Sequence, residues 1–399
     1  MTTAEKGPLS GLRIIAVERY GAGPYGTAHL ADLGADVIRI EHVSGGLDSS
    51  RTTGPYFLGE HDSQFYQVFN GNKRSLSLNL KTDAGREVFE RLVVTADGLL
   101  DNMRGDQQEK LRLTHDHLKA LNEKIVCAHI TAYGREGERQ NWPGYDYLMQ
   151  AEAGFLSLTG EPDSPPTRFG LSMVDYMTGM TTAFALLAGI MSARETGEGR
   201  DMDVSLYDVA MHQLTYPAVW YLNEGHVTER IPRSGHPYYV PSQLCRTADG
   251  WISLMCQTQK FWEILCREMA RPDLNEDPRF DSEANRHEHR AELSDILDEI
   301  LGTKTTADWL EKLSGQVPCG PVYDVPQALD NPYFVNRGGI RTVPHPDKPD
   351  LKVLASPIRT SGPVQNRPAP KLGADNDDIL TELGYDASAI RKLKDDNVI

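Results

Sequence analysis

The sequence predicts an α/β protein: a large domain on a parallel sheet, with a smaller α+β domain set into it. Three observations predict this. Strand-like and helix-like patterns alternate through the first half of the 399 residues. The segment from Leu12 to Glu41 has the strand–helix–strand spacing of one right-handed βαβ unit. Near Asn223 the character changes to paired strands followed by several helices.

The elements follow in order. Leu12 to Val17 is an apolar run suited to a buried strand. Pro24 to Leu33 reads as a helix with proline in its first turn, closed by Gly34. Asp36 to Glu41 is the next strand. Ser75 to Leu80 alternates as a strand, Asp83 to Thr95 is amphipathic, and Gly98 to Asn102 and Lys124 to Thr131 are further strands. A long helix spans about Met173 to Arg194, and Asp201 to Ser205 is a strand after the Thr196–Arg200 turn. Gln243 to Arg246 and Trp251 to Cys256 form a pair about the turn Ala248-Asp249-Gly250. Helices follow at Lys260 to Ala270, Arg286 to Ile300 and Thr306 to Leu313. A strand near Leu351 to Ala355 and two terminal helices from Asp377 and Ala387 complete the chain. The expected organisation is residues 1–222 in the large domain, 223–330 in the small one, and 331–399 returning to the large one.

Composition narrows the function. A net charge of −16 argues against coating nucleic acid, which needs clustered cations, yet leaves room for a local basic pocket. The longest apolar run, Ala183 to Met191, is short of the ~20 residues of a membrane helix. The opening MTTAEKGPLSG has no basic-then-apolar leader pattern. Five scattered cysteines without a CxxC pair fit free thiols and a cytoplasmic location. His115-Asp116-His117 and His287-Glu288-His289 lie in polar helical stretches and read as solvated faces, so no metal site is expected.

Three motifs carry possible chemistry. Tyr20-Gly21-Ala22-Gly23-Pro24-Tyr25-Gly26 is a Gly-rich first βα turn, with Glu41 ending the next strand. This is a weak dinucleotide pattern, because Pro24 removes a backbone N–H, and a tight turn is the plainer reading. Asn70-Gly71-Asn72-Lys73-Arg74-Ser75 and Asp101-Asn102-Met103-Arg104 put cations and amides beside strand ends, as an anion group or as solvated turns. Asp175 lies near the start of the long apolar helix, as a nucleophile or as a cap.

Taken in order, these segments resemble the class III CoA-transferases, the family of formyl-CoA and carnitine CoA-transferases that also contains α-methylacyl-CoA racemase. The carriers are Pro8 to Leu12, Ala31 to Glu41, Asn70 to Ser75, Asp101-Asn102, Thr131 to Gly134, Gly144-Tyr145-Asp146, the Asp175 segment and Thr196 to Arg200. The resemblance implies a Rossmann-like large domain built from both chain ends, and two chains interlocked as a homodimer. It implies an enzyme that moves coenzyme A from an acyl-CoA donor, succinyl-CoA being common in the family, to a carboxylic acid. Asp175 matches the family's catalytic aspartate. No tightly bound cofactor is implied; CoA and acyl-CoA are substrates, and neither nucleic acid nor membrane is a partner. An ionised Asp175 is needed at pH 7, so little upward shift of its pKa is expected.

For CoA, the family pattern points to Tyr20, Gly21, Ala22, His42, Lys73, Asn102, Met103, Arg104, Lys110 and Tyr133. His42 and Lys110 stand where the formyl-CoA type has arginine, and Thr131 where it has lysine. Its glycine-rich loop has no clear counterpart; Ser234 to Tyr239 falls in that region with a single glycine. Tyr145, His236, Tyr238 and Tyr239 are the expected substrate contacts. Arg51, Gln64, Gln150 and His236 would suit a dicarboxylic acid, and Tyr216, Trp220, Tyr238 and Tyr239 an aromatic or branched one. Two alternatives stand: a racemase, whose Gly-His-Asp is here Gly144-Tyr145-Asp146, and a non-catalytic CoA-binding subunit of a hetero-oligomer.

Overall fold

Short, wholly apolar stretches form strands here because both faces of the sheet are covered. The computed structural model describes residues 7–43, 48–360 and 365–399. Six strands form the central parallel sheet: β1 (Arg13–Val17), β2 (Asp36–Glu41), β3 (Arg74–Ser77), β4 (Gly98–Asp101), β5 (Val126–Thr131) and β6 (Asp201–Ser205). Their spatial order is β3-β2-β1-β4-β5-β6, and every neighbouring pair is parallel. The chain winds outward from β1, then restarts on its other side at β4. Such a reversal opens a crevice at the carboxyl ends of the strands.

Helices cover the two faces. On one, α3 (Asp83–Val94) buries Val88, Phe89, Leu92 and Val93 with Ile15, Ile38 and Leu99 of the sheet. α1 (Ala22–Asp32) and α5 (Met173–Thr196) pack tightly on each other elsewhere in this unit. Their closest approach is Gly26 against Gly179: a methyl on Gly179 would sit 2.3 Å from the Ala22 carbonyl oxygen. α5 buries Val174, Thr178, Thr182, Leu186, Ile190 and Ala193 along one stripe. By length and composition α5 could cross a membrane; the short apolar run in the sequence had hidden this, because threonines and glycines interrupt it.

The outer edge of β3 is closed by the C-terminal segment. The Ser75 and Ser77 amides donate to the side chains of Asp375 and Asn376, and Asn79 N–H donates to the Val398 carbonyl at 2.8 Å. These bonds end β3 at Ser77, earlier than the alternation of Ser75 to Leu80 predicts. A helix the sequence did not reveal, α2 (Gln64–Asn70), begins where the Ser63 side chain accepts from the Tyr66 amide. α4 (Asp146–Glu152) precedes α5.

The chain forms two compact units: residues 1–153, 170–213 and 336–399, and residues 154–169 with 214–335. The second contains α6 (Thr215–Glu224) and an antiparallel sheet of β7 (Ser242–Arg246), β8 (Trp251–Met255) and β9 (Cys319–Pro321), with β8 central. Trp262 and Leu265 of α7 (Gln259–Glu268), Leu293 and Leu297 of α8 (Arg290–Leu301), and Trp309 and Leu313 of α9 (Thr306–Leu313) form its core. In the first unit the last residues add the hairpin β10 (Ile340–His345) and β11 (Lys348–Leu354), then α10 (Asn376–Glu382) and α11 (Ala387–Asp395).

Candidate active site

Asp175 lies in the first turn of α5, against the start of α1. A methyl group on Gly21 would lie 2.4 Å from Asp175 Oδ2, so only glycine lets this carboxylate rest on the β1–α1 turn. The other two glycines of the turn are also explained by protein neighbours. Gly23 faces Glu18 and Asn102, and Gly26 faces the Gly179 backbone. The spacing that resembles a dinucleotide fingerprint is thus a packing device. The amide of Asp175 donates to Asp146 Oδ2 at 2.9 Å, and Asp146 Oδ1 accepts from Gln150 Nε2 at 2.6 Å. Burial, and then the charge of Asp146, push the Asp175 pKa up to about 7. That exceeds the small shift expected from the sequence, because the carboxyl group is buried and, second, because Asp146 is anchored to the amide of Asp175 itself.

Aromatic rings continue from this point. Tyr176 meets Tyr25 at 4.7 Å and Phe69 at 6.2 Å between centroids; Phe69 meets Phe65, and Phe65 meets Tyr20, each at 5.1 Å. Tyr20 holds a positive φ of 64°, and its amide donates to both oxygens of Asp48 at 3.1 Å.

Beneath the turn lies a buried charged network. Lys73 Nζ donates to Glu18 Oε1 at 2.7 Å, to the Pro24 carbonyl at 3.0 Å and to Asn70 Oδ1 at 3.1 Å. These use all three of its donors, and burial lowers its pKa to about 8 despite Glu18. Arg39 pairs with Asp48, and Arg51 with Glu41 at 2.6 Å and the Tyr66 hydroxyl at 2.7 Å. Burial opposes the ionised form of Glu41, but Arg39 and Arg51 outweigh it and hold the carboxyl below its usual range. Arg74 is committed to Asp36 and Glu382. The cations of the Asn70–Ser75 segment therefore brace the protein's own turns.

The crevice predicted by the strand order is present as a cleft of about 450 Å³. Val17, Glu18 and Arg19 line it from β1, Ile40, Glu41 and His42 from β2, Leu78, Leu80 and Lys81 from beyond β3, and Met103, Gln107 and Leu111 from beyond β4. Its acidic side chains Glu18, Glu41 and Asp48 are neutralised by Lys73, Arg51 and Arg39. Exposed Arg19 and Lys81 remain as cations at the lining, which also includes His42.

Other expected residues take these positions. Asn102 exchanges two hydrogen bonds with the backbone of Arg19, at 2.8 and 2.7 Å, tying the end of β4 to that of β1. Arg104 and Lys110 both pair with Asp106 on the surface. Tyr133 donates to Glu152 at 2.7 Å, beside Arg139 and Trp142. Tyr145 is 76% exposed. In the second unit, His236 Nδ1 accepts the amides of Tyr238 and Tyr239 at 3.0 and 3.1 Å, leaving the proton on Nε2. A cavity of about 280 Å³ beside Tyr216, Ser234, Gly235 and Pro237 lies within that unit.

Sequence reasoning missed Arg19, Lys81 and Gln107, each a few residues past a strand it had placed. It also did not give Asp146 a role of its own; an acidic residue in the first turn of a helix was the available signal.

A family model described as CoA-transferase family III matches residues 9–376. The chain is 33% identical to a succinate–glutarate CoA-transferase of Agrobacterium fabrum, over 95% of this chain and 96% of that protein. It is 34% identical to a succinyl-CoA:mesaconate CoA-transferase of Haloarcula marismortui, over 98% of this chain and 100% of that one. The crystal structure of a CAIB/BAIF family protein from Brucella suis is similar with a TM-score of 0.81 at 30% identity, covering 95% and 100% of the two chains. The α/β architecture, the crevice at the sheet's switch point and these matches lead to one conclusion: the chain belongs to CoA-transferase family III, enzymes whose substrates are CoA thioesters.

Proposed function

We propose that this enzyme moves CoA from succinyl-CoA to a second carboxylic acid, with Asp175 as nucleophile. The observation that carries the reading is the seat of the Asp175 carboxylate on the N-terminus of α1, where Gly21 leaves room for it. The Ala22 and Gly23 amides of that first turn, Pro24 having none, and the helix dipole offer stabilisation to an oxyanion formed there.

The carboxylate oxygen attacks the acyl carbon, the CoA thiolate leaves, and a mixed anhydride forms. The thiolate attacks the Asp175 carbonyl carbon, releasing the donor acid and leaving an aspartyl-CoA thioester. The acceptor carboxylate attacks that thioester and frees the thiolate. The thiolate then takes the acceptor's acyl carbon, and Asp175 returns as a carboxylate. A pKa of about 7 leaves a substantial ionised fraction at neutral pH.

CoA is assigned to the 450 Å³ cleft, with Arg19 and Lys81 as the cations available to its phosphates. The names of the relatives favour a dicarboxylic acceptor. Arg51, buried against Glu41, is committed inside the protein rather than to such an acid. The five free thiols fit a cytoplasmic setting. Two chains are taken to associate as an interlocked homodimer; Phe184 and Met191 on α5, 74% and 73% exposed, suit burial by a second copy.

The test is a screen of succinyl-CoA with glutarate, mesaconate, oxalate and monocarboxylic acids, followed by mass spectrometry of the CoA esters. New dicarboxyl-CoA esters with release of succinate are expected. Exchange of the α-proton of a 2-methylacyl-CoA without any CoA transfer would overturn the reading.

A further inference from the structure

We propose that Asp146 is the positioning residue of the reaction, holding the first turn of α5 so that the Asp175 carboxylate stays over Gly21. The proposal rests on the reading of Asp175 as nucleophile. Asp146 lies at the start of α4, 4% exposed, and reaches a different helix. Its Oδ2 accepts the Asp175 amide at 2.9 Å. That amide belongs to the first turn of α5, where no residue of the helix itself supplies an acceptor. Ser172, the residue before the helix, makes no side-chain capping bond. The cap is therefore delivered from α4, and to the residue whose side chain carries the chemistry.

Asp146 is itself held. Gln150, one turn along α4 and fully buried, donates to Asp146 Oδ1 at 2.6 Å and to the Leu171 carbonyl at 3.1 Å. One amide group thus links Asp146 to the segment entering α5. From the other side the approach is fixed by the Gly26–Gly179 crossing, one turn further along α5. Asp175 is held between a polar clamp at its amide and a close helix contact below it.

The clamp has an electrostatic consequence. Asp146 is the charged group that acts on Asp175, and Tyr176, the next residue, in turn feels Asp175, Tyr25, Asp146 and Tyr147. After burial, the carboxylate of Asp146 is what raises Asp175. Removing that charge while keeping the acceptor separates position from charge.

The experiment compares Asp146→Asn and Asp146→Ala with the wild type, recording kcat, KM and the pH profile of kcat/KM, with thermal melts to confirm folding. Asp146→Ala is expected to lose about 100-fold in kcat with KM for the acyl-CoA little changed, since a shift of about 1 Å costs that much. Asp146→Asn retains one acceptor oxygen for the Asp175 amide, while its NH2 faces Gln150, whose side-chain amide must flip to accept from it and give up the Leu171 carbonyl. It is expected to recover most of kcat and to move the acid limb down by about one pH unit or more. If the alanine variant does not fold, the asparagine profile still decides. An unmoved acid limb in Asp146→Asn, with the CoA adduct still forming on Asp175, overturns the role of Asp146 alone. Absence of any adduct on Asp175 in the wild type overturns both readings.

Discussion

Asp175 shows how a buried carboxyl group costs stability at the scale of one residue. Its folded pKa, about 7, lies above the ordinary carboxyl value near 4. Folding is therefore penalised once the unfolded chain's carboxyl ionises, and the penalty grows until pH passes about 7. Asp175→Asn, neutral throughout, is expected to melt at a higher temperature than the wild type above pH 7, and at the same temperature below about pH 4. Calorimetry across that range checks it; equal melting temperatures at pH 8 would contradict the raised pKa. At this scale the sequence was least informative about partners. Lys73 reads as a ligand-facing cation beside Arg74, and nothing local reveals that Glu18, 55 positions away, occupies it. Asp175 was singled out through resemblance; its seat on Gly21 was not legible, because that contact joins two helices far apart in the chain.

Within the sheet, a charged triad ties three elements together. His129 of β5 contacts Asp101 of β4 at 2.5 Å and Asp201 of β6 at 3.0 Å, all across parallel pairs. Burial alone would lower the imidazole, but Asp101 and Asp201 outweigh it and push it up to about 9. Asp101 also receives the Met103 amide and Gln108, so the triad shapes the loop lining the cleft. The folded pKa exceeds the unfolded one, so this stabilisation is complete below about pH 6.5 and is lost as pH rises through 9. His129→Ala is expected to cost about 3 kcal/mol at pH 6, as for breaking a buried pair. The gap should narrow toward pH 10 in denaturant titrations; a gap constant from pH 6 to 10 would count against the charged triad. The strands themselves were legible, since Ile14, Ile15 and Ala16 are wholly buried and read as an apolar run. α2 was not: at seven residues, it is too short to display a helical period, and Ser63 was its one local signal.

At the scale of the whole molecule, α5 carries two stripes. One packs inward, and the other exposes Met180, Phe184 and Met191 at helical spacing. A second copy covering this stripe, as in the proposed homodimer, would account for its apolar character. The wild type is expected to sediment as a dimer at micromolar concentration, and Phe184→Asp to shift toward monomer. A monomeric wild type would contradict the interlocked arrangement. The order of elements along the chain was legible, because strand and helix periods differ. The break at residues 154–169, which belong with the second unit, was missed, although Pro162, Pro165 and Pro166 mark a loop there.

The most direct test of the central claim is to mix the enzyme with succinyl-CoA, withhold acceptor, quench, and map the modified peptide by mass spectrometry. CoA joined as a thioester to Asp175 is expected in the wild type and absent from Asp175→Ala, which should transfer no CoA. Undiminished transfer by the alanine variant, or an adduct on another residue, would contradict it.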